Sequence, residues 1–118
     1  MAQLAEMDCL LIHAGDLSRD LRDLEHAYPD AHAHWTALAA ILHQLRIVHT
    51  RRPGKDLTGR FQGWRRHAFP ARPERRARAD LRIVYRPRGD RTEMLGFGHR
   101  HAPADVYRRL STRPAGRP

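Results

Sequence analysis

The chain has 118 residues, a single cysteine and a formal net charge of +9. A chain this long forms one domain, able to remove roughly two-thirds of its unfolded surface from water. No run approaches the ~20 apolar residues of a membrane span, and the lone Cys9 excludes an internal disulfide and fits a reducing, cytoplasmic setting. The opening MAQLAEMDCLLIHA holds acidic residues and only a short apolar core, unlike a secretory leader.

Met7 to His13 predicts a first strand around the apolar run Cys9-Leu10-Leu11-Ile12, ended by Gly15-Asp16. Leu17, Leu21, Leu24 and Tyr28 then recur at helical spacing, with Asp16 as the N-cap. Pro29-Asp30 separates a second helix, whose apolar stripe is Trp35, Leu38, Leu42 and Leu45. The pair should lie as a hairpin across one face of a sheet, with most acidic residues on the outer faces. Arg51-Arg52-Pro53-Gly54 ends the helical half. Gly54-Lys55 is no phosphate loop, because the earlier glycine and the following Ser or Thr are missing.

Phe61, Trp64 and Phe69 among polar and basic neighbours make Leu57 to Phe69 a strand segment. PARPERRARAD, residues 70–80, reads as a loop, since proline cannot serve in a central ladder. It is either a solvated excursion or a flap that grips a substrate. Leu81, Ile83 and Tyr85 alternate with Arg82, Val84 and Arg86, the period of a half-buried strand. Pro87-Arg88-Gly89-Asp90 supplies a turn, Thr92 to Gly98 returns as the next strand, and Pro103 opens a last helix with Asp105 in its first turn. The domain spans 1–110, and STRPAGRP, 111–118, is expected to be a disordered tail.

Charge is divided sharply along the chain. Residues 1–50 carry three basic and seven acidic side chains, a balance of −4, and residues 51–118 carry nineteen and six, a balance of +13. So one-sided a field points to a polyanionic partner, or to an acidic protein that imitates one. Codon bias accounts for 21 Arg against one Lys, but less well for the excess of basic over acidic residues.

Three short motifs carry a family resemblance when taken in order: Leu57-Thr58-Gly59 followed by Trp64-Arg65-Arg66-His67, then Arg82-Ile83-Val84-Tyr85, then Gly98-His99-Arg100 closed by Val106-Tyr107. Together they resemble the RelE/ParE superfamily of bacterial type II toxins, over most of the chain from about Cys9 to Leu110. The resemblance implies an α+β fold: an N-terminal strand and a helical hairpin packed on a mainly antiparallel sheet of about four strands, with a short C-terminal helix. It implies an endoribonuclease that cuts mRNA without a metal, in the family usually on the translating ribosome. It also implies a cognate antitoxin, whose segment wraps the toxin and covers its basic cleft. ParE-like relatives offer another mode, poisoning DNA gyrase by binding without cutting RNA, and a degenerate member would only bind its partner. No membrane partner and no cofactor is implied.

Carried onto this chain, the resemblance puts the RNA chemistry on His67, Arg82, Arg100 and Tyr107. His67 is expected as general base and Arg82 as phosphate clamp. Arg100, or a neighbouring histidine, would protonate the leaving group, and Tyr107 would position the nucleotide. Arg65, Arg66, Arg86, His99 and His101 are the expected RNA-binding side chains. The residue types suit the chemistry: imidazole titrates near neutrality, and the guanidinium fork matches phosphate oxygens in pairs. Some relatives use Lys where His67 stands. Simpler roles compete at each position: Arg82 and His67 facing solvent, Tyr107 anchoring the last helix, Arg108 and Arg109 as charges at a helix C-terminus. His99 and His101 share a strand face, but no third ligand or cysteine pair accompanies them, so no metal site is expected.

Overall fold

The computed structural model of the chain describes residues 9–72, 77–101 and 105–113. The elements are β1 (Leu10–Leu11), α1 (Ala14–Ala27), α2 (Ala31–Arg51), β2 (Lys55–Asp56), a 3-10 turn (Gly59–Phe61), β3 (Arg65–Phe69), β4 (Leu81–Arg88), β5 (Arg91–His99) and α3 (Val106–Leu110). The sheet runs β1-β5-β4-β3-β2, antiparallel throughout except that β1 lies parallel to β5. This is the expected α+β arrangement with five strands rather than four. The added strand is β2, which pairs Lys55 with Arg66 and Asp56 with Arg65. Gly54 makes that approach possible: a side chain there would run into the backbone carbonyl of Arg66.

Local chemistry accounts for the helix ends. α1 starts earlier than the spacing predicts, with Gly15 and Asp16 inside its first turn and His13 at the N-cap, making no side-chain capping bond. Asp30 caps α2 by accepting from Ala33 N at 3.0 Å. Arg52 closes that helix in the left-handed region at φ 50°, its N–H donating to Val48 O. Met7, Asp8 and Pro103, which the sequence reading placed in elements, lie outside the described residues. The Leu57–Phe69 segment is a strand only from Arg65, because the 3-10 turn occupies Gly59–Phe61.

The sheet buries side chains on both faces. On one, Phe69, Leu81, Ile83, Tyr85, Met94 and Phe97 meet Leu24 of α1 and Ala37, Ile41, Leu45 and Val48 of α2. On the other, Val84 and Leu95 pack with Trp64 and with Val106 and Leu110 of α3. A bulge between Val84 and Tyr85 leaves Leu95 as the extra residue, since Val84 opposes Gly96 and Tyr85 opposes Met94. The expected stripe of α2 is rotated. Its core line is Ala37, Ile41, Leu45 and Val48, with Leu38 and Leu42 at the flanks, and Trp35 is 66% exposed. Alanine in this helix allows either line, and contact with the sheet selects the one that is narrow at Ala37.

The second departure concerns charge. β1 covers β5 only at Thr92 and Glu93, so the next stretch of that edge has no strand beside it. Side chains complete it. Asp20 of α1 accepts from Phe97 N at 3.2 Å, Arg113 donates to Leu95 O at 2.9 Å, and Arg109 donates to Phe97 O at 2.7 Å. The same groups pair with one another: Arg113 with Asp20 at 2.7 Å and with Asp16 at 3.4 Å, Arg109 with Asp23 at 2.8 Å. Gly96 and Gly98 leave room for the two guanidiniums, which a side chain at either position would meet. Three expectations are corrected here. Asp20 and Asp23 are buried rather than on an outer face. Arg109 sits in the last turn of α3, yet it is an internal ion-pair partner and not simply a helix-end charge. Arg113, assigned to a disordered tail, is buried in the domain. Residues 114–118 lie outside the described ones. Burial pushes the Asp20 carboxyl above its ordinary range, while Arg113 and Arg109 pull it back.

Removing one member of a buried charge pair costs about 3–5 kcal/mol, because the other is left without compensation. Asp20→Ala should therefore lower unfolding stability by that order in urea denaturation, and Asp20→Asn by less, since its amide oxygen can still accept from Phe97 N. A loss below ~1 kcal/mol for Asp20→Ala would remove the seam from any important role in stability.

Candidate polyanion-binding face

In an antiparallel ladder, residues directly opposite share a face and successive residues alternate. His67 opposes Ile83, Leu81 opposes His99, and Arg82 lies between Ala68 and Gly98. Since Ile83 and Leu81 belong to the core beneath the helical hairpin, His67 and His99 project to the helix side. Arg82, Ala68 and Arg66 project to the other side, with Val84 and α3. The expected single constellation is thus divided: Arg65, His67 and His99 on one face, Arg66, Arg82, Arg86 and Tyr107 on the other. The proposed general base and phosphate clamp have the sheet between them.

On the helix side the side chains tie layers together. His67 Nε2 donates to Gln44 Oε1 of α2 at 2.6 Å, and its ring stacks on Phe69 with centroids 5.4 Å apart. His49 of α2 meets the Thr92 hydroxyl of β5 at 2.8 Å. His99 packs edge-on against Tyr28 at 5.8 Å, and its Nδ1 accepts from His101 N at 3.0 Å. Arg65 joins β3 to the β2 edge through Asp56 at 2.7 Å and Gly54 O at 2.9 Å. Burial pushes the His67 imidazole below its ordinary pKa. Burial does the same to His99; Asp80 pulls it back up, while His101, Arg100 and Arg82 add to the depression.

The α3 side is the cationic and aromatic one. Arg86 bonds Glu93 at 2.6 Å and lies 4.4 Å over the ring of Trp64, with Arg88 also near Glu93 at 3.7 Å. Tyr107 packs beside Phe61, ring centroids 6.1 Å apart. Arg82 is only 7% exposed; its Nη1 donates to Leu81 O at 3.0 Å and to Ala79 O, and so braces the start of β4. The Arg82 Nε and the Tyr107 hydroxyl are buried with no hydrogen-bond partner among the described residues. Arg66 is half-buried and has no ion-pair partner among them. Arg100 and His101 are exposed just beyond β5, with Arg100 N donating to Asp80 O at 2.7 Å.

This face gathers Arg66, Arg82, Arg86 and Tyr107, with the Arg82 Nε and the Tyr107 hydroxyl themselves sealed from solvent. Its strand positions carry no histidine, and the one carboxylate among them, Glu93, is paired with arginines. Among the described residues no group of three or more His, Cys, Asp or Glu is disposed to hold a metal ion, and no helix is long and apolar enough to cross a membrane. The sequence reading missed Gln44, Tyr28 and Asp80 as partners of the two histidines. It also missed the seam, half of whose signal was present: Asp16, Asp20 and Asp23 fall on one face of α1, whereas Arg113 lies beyond the end of α3. No protein-family model matches the chain, and no curated protein or solved structure matches it either.

Because burial holds the His67 and His99 imidazoles below the ordinary 6.5, the unfolded chain takes up protons first as pH falls. Their contribution is fully present above 6.5 and is lost as pH falls from there through the lowered folded-state values. His67→Gln, which can still bond Gln44, should lose less stability than the wild type between pH 7.5 and pH 5 in paired denaturation curves. Parallel curves for the two proteins would show that His67 does not contribute to the acid sensitivity.

Proposed function

We propose that the chain is a toxin of the RelE/ParE kind that acts by binding an acidic target, with DNA gyrase as the candidate, rather than by histidine-based cleavage of RNA. The observation that carries this reading is the alternation of β3 and β4, which separates His67 from Arg82. His67 is a tether to Gln44, so the cationic face is left with binding groups and no imidazole within its strands. The charge distribution supports an acidic target. Three acids of α1 are engaged inside the seam, while Arg66, Arg91 and Arg100 have no carboxylate partner among the described residues. A cognate antitoxin with an acidic or amphipathic segment would neutralise this surface by charge complementarity and apolar burial.

A second reading keeps the endoribonuclease, acting on mRNA at the ribosome, and one observation favours it. The buried Arg82 Nε and Tyr107 hydroxyl lack partners on the same face as Arg66, and leaving such a group unpaired costs about 1–3 kcal/mol. A phosphate that reached either group as the face opened would give it a partner. Arg66 and Arg82 would then clamp the phosphate, and Arg100 or His101 at the rim would move protons.

Induction of the wild type and of Arg66→Glu, with primer-extension mapping of transcripts and assay of gyrase-dependent DNA breaks, separates the readings. Arg66 is the better probe, because Arg82→Ala would also loosen the start of β4. The expected outcome is growth arrest with intact messages and gyrase-dependent breaks, weakened about tenfold by the charge reversal, or ~1.4 kcal/mol of target affinity. Discrete cuts within translated frames would replace this reading with the nuclease. Neither effect, with antitoxin binding retained, would leave a family member that only binds its partner.

A further inference from the structure

The β4–β5 hairpin runs on past the strands beside it. β3 pairs with β4 up to Tyr85, and the ladder of β1 with β5 begins at Thr92, so Arg88 to Arg91 project beyond both neighbours. Pro87 through Arg91 are exposed. Gly89, at φ 65°, takes the first central position of the two-residue turn, where positive φ matches the twist of the paired strands.

Charge sets this tip apart. Arg88 and Arg91 stand directly opposite each other, an arrangement of like charges that destabilises a ladder. Arg88 lies 3.7 Å from Glu93, yet its side chain is 46% exposed. The Arg91 side chain has no hydrogen-bond or ion-pair partner among the described residues. From the end of α2, Arg52 reaches the same turn and donates to Gly89 O at 3.1 Å, with further donors on its guanidinium. Asp90 is the one carboxylate within the turn.

An acidic protein and a nucleic acid both carry charge to match these arginines. A protein interface also needs an apolar, aromatic-rich centre, and the tip offers only Pro87. A nucleic acid needs guanidiniums for its phosphates and a narrow probe for its grooves. With Gly89 the tip has no side chain at one of its two central positions, and the minor groove of B-DNA is about 6 Å wide. Where A-tracts narrow that groove, its negative potential draws arginine in.

We infer that the β4–β5 tip enters the minor groove of duplex DNA, with Arg88 and Arg91 in the groove and Arg52 on a flanking phosphate. The inference goes beyond the toxin reading and does not rest on it, because β4, β5 and the end of α2 build the tip by themselves.

The test is fluorescence anisotropy of the full chain with short labelled duplexes, one an A-tract and one GC-rich. The A-tract should bind with a dissociation constant on the order of 10 µM in low salt, and log affinity should fall against log salt with a slope of about −2.7 for three phosphate-neutralising arginines. The GC-rich duplex should bind about threefold more weakly. Duplex RNA, whose minor groove is wide and shallow, should bind about fivefold more weakly. Arg91→Ala removes a side chain that holds nothing else, so the fold should survive, with circular dichroism as the check. It should weaken A-tract binding about fivefold and flatten the salt slope by about one. Asp90→Asn should tighten binding about twofold by removing a repelled carboxylate. Arg22→Ala, at an exposed position of α1, should leave the affinity unchanged. No readout here involves growth arrest or gyrase, so a chain that binds the duplex without toxicity upholds the tip while the toxin reading alone fails. Equal affinity for the two DNA duplexes, tighter binding of RNA, or indifference to Arg91→Ala would overturn the inference. Polyglutamate bound as tightly as the A-tract would also overturn it, assigning the tip to an acidic protein.

Discussion

The rest of the structure depends on how the open edge of β5 is closed. A buried strand edge presents amide and carbonyl groups that cost about as much as lost hydrogen bonds when they go unpaired. β1 satisfies the beginning of that edge, and then side chains take over. An aspartate accepts where a neighbouring strand would accept, and two arginines donate where it would donate. Because the acids come from α1 and the cations from the C-terminal segment, the same contacts lock the layers on opposite faces of the sheet to each other. Apolar burial drives the layers together without direction. The hydrogen-bonded ion pairs decide their mutual position.

That closure also shapes the electrostatics. The acidic half of the chain looks, by composition, like a negatively charged lobe facing a positive one. Folding places Asp20 and Asp23 inside, against Arg109 and Arg113. The remaining cations of the C-terminal half then dominate the surface of the sheet and its hairpin tip. A field of this sign steers acidic partners toward the molecule and fades over about 8–10 Å at ordinary salt.

Within the sheet, a period of two governs which side chains can cooperate. One residue of offset moves a group through the full thickness of the layer. His67 and Arg66 are neighbours in the chain and belong to different environments. One lies half-buried beneath α2 with Gln44 and Phe69, the other beside Val84 under α3. The histidines on the helix side act as polar ties between the hairpin and the strands, and their depressed basicity follows from that burial. The cationic face consists instead of arginines, Trp64 and Tyr107, a composition suited to gripping a charged partner.

Much of the architecture was legible in the residues alone. The β4 alternation of Leu81, Ile83 and Tyr85, the break between the helices at Pro29-Asp30, the turn at Gly89-Asp90 and the final short helix all follow from local rules of period, helix breaking and positive φ, which act over a few residues. The division of charge along the chain was equally visible by counting. Tertiary structure alone decided the line along which α2 meets the sheet, the burial of Asp20 and Arg113 some ninety residues apart, and the face each strand presents to each layer. Those outcomes depend on which distant groups become neighbours. Neither hydropathy nor spacing encodes the register of β3 against β4, so it had to be set by packing, and with it the separation of His67 from Arg82.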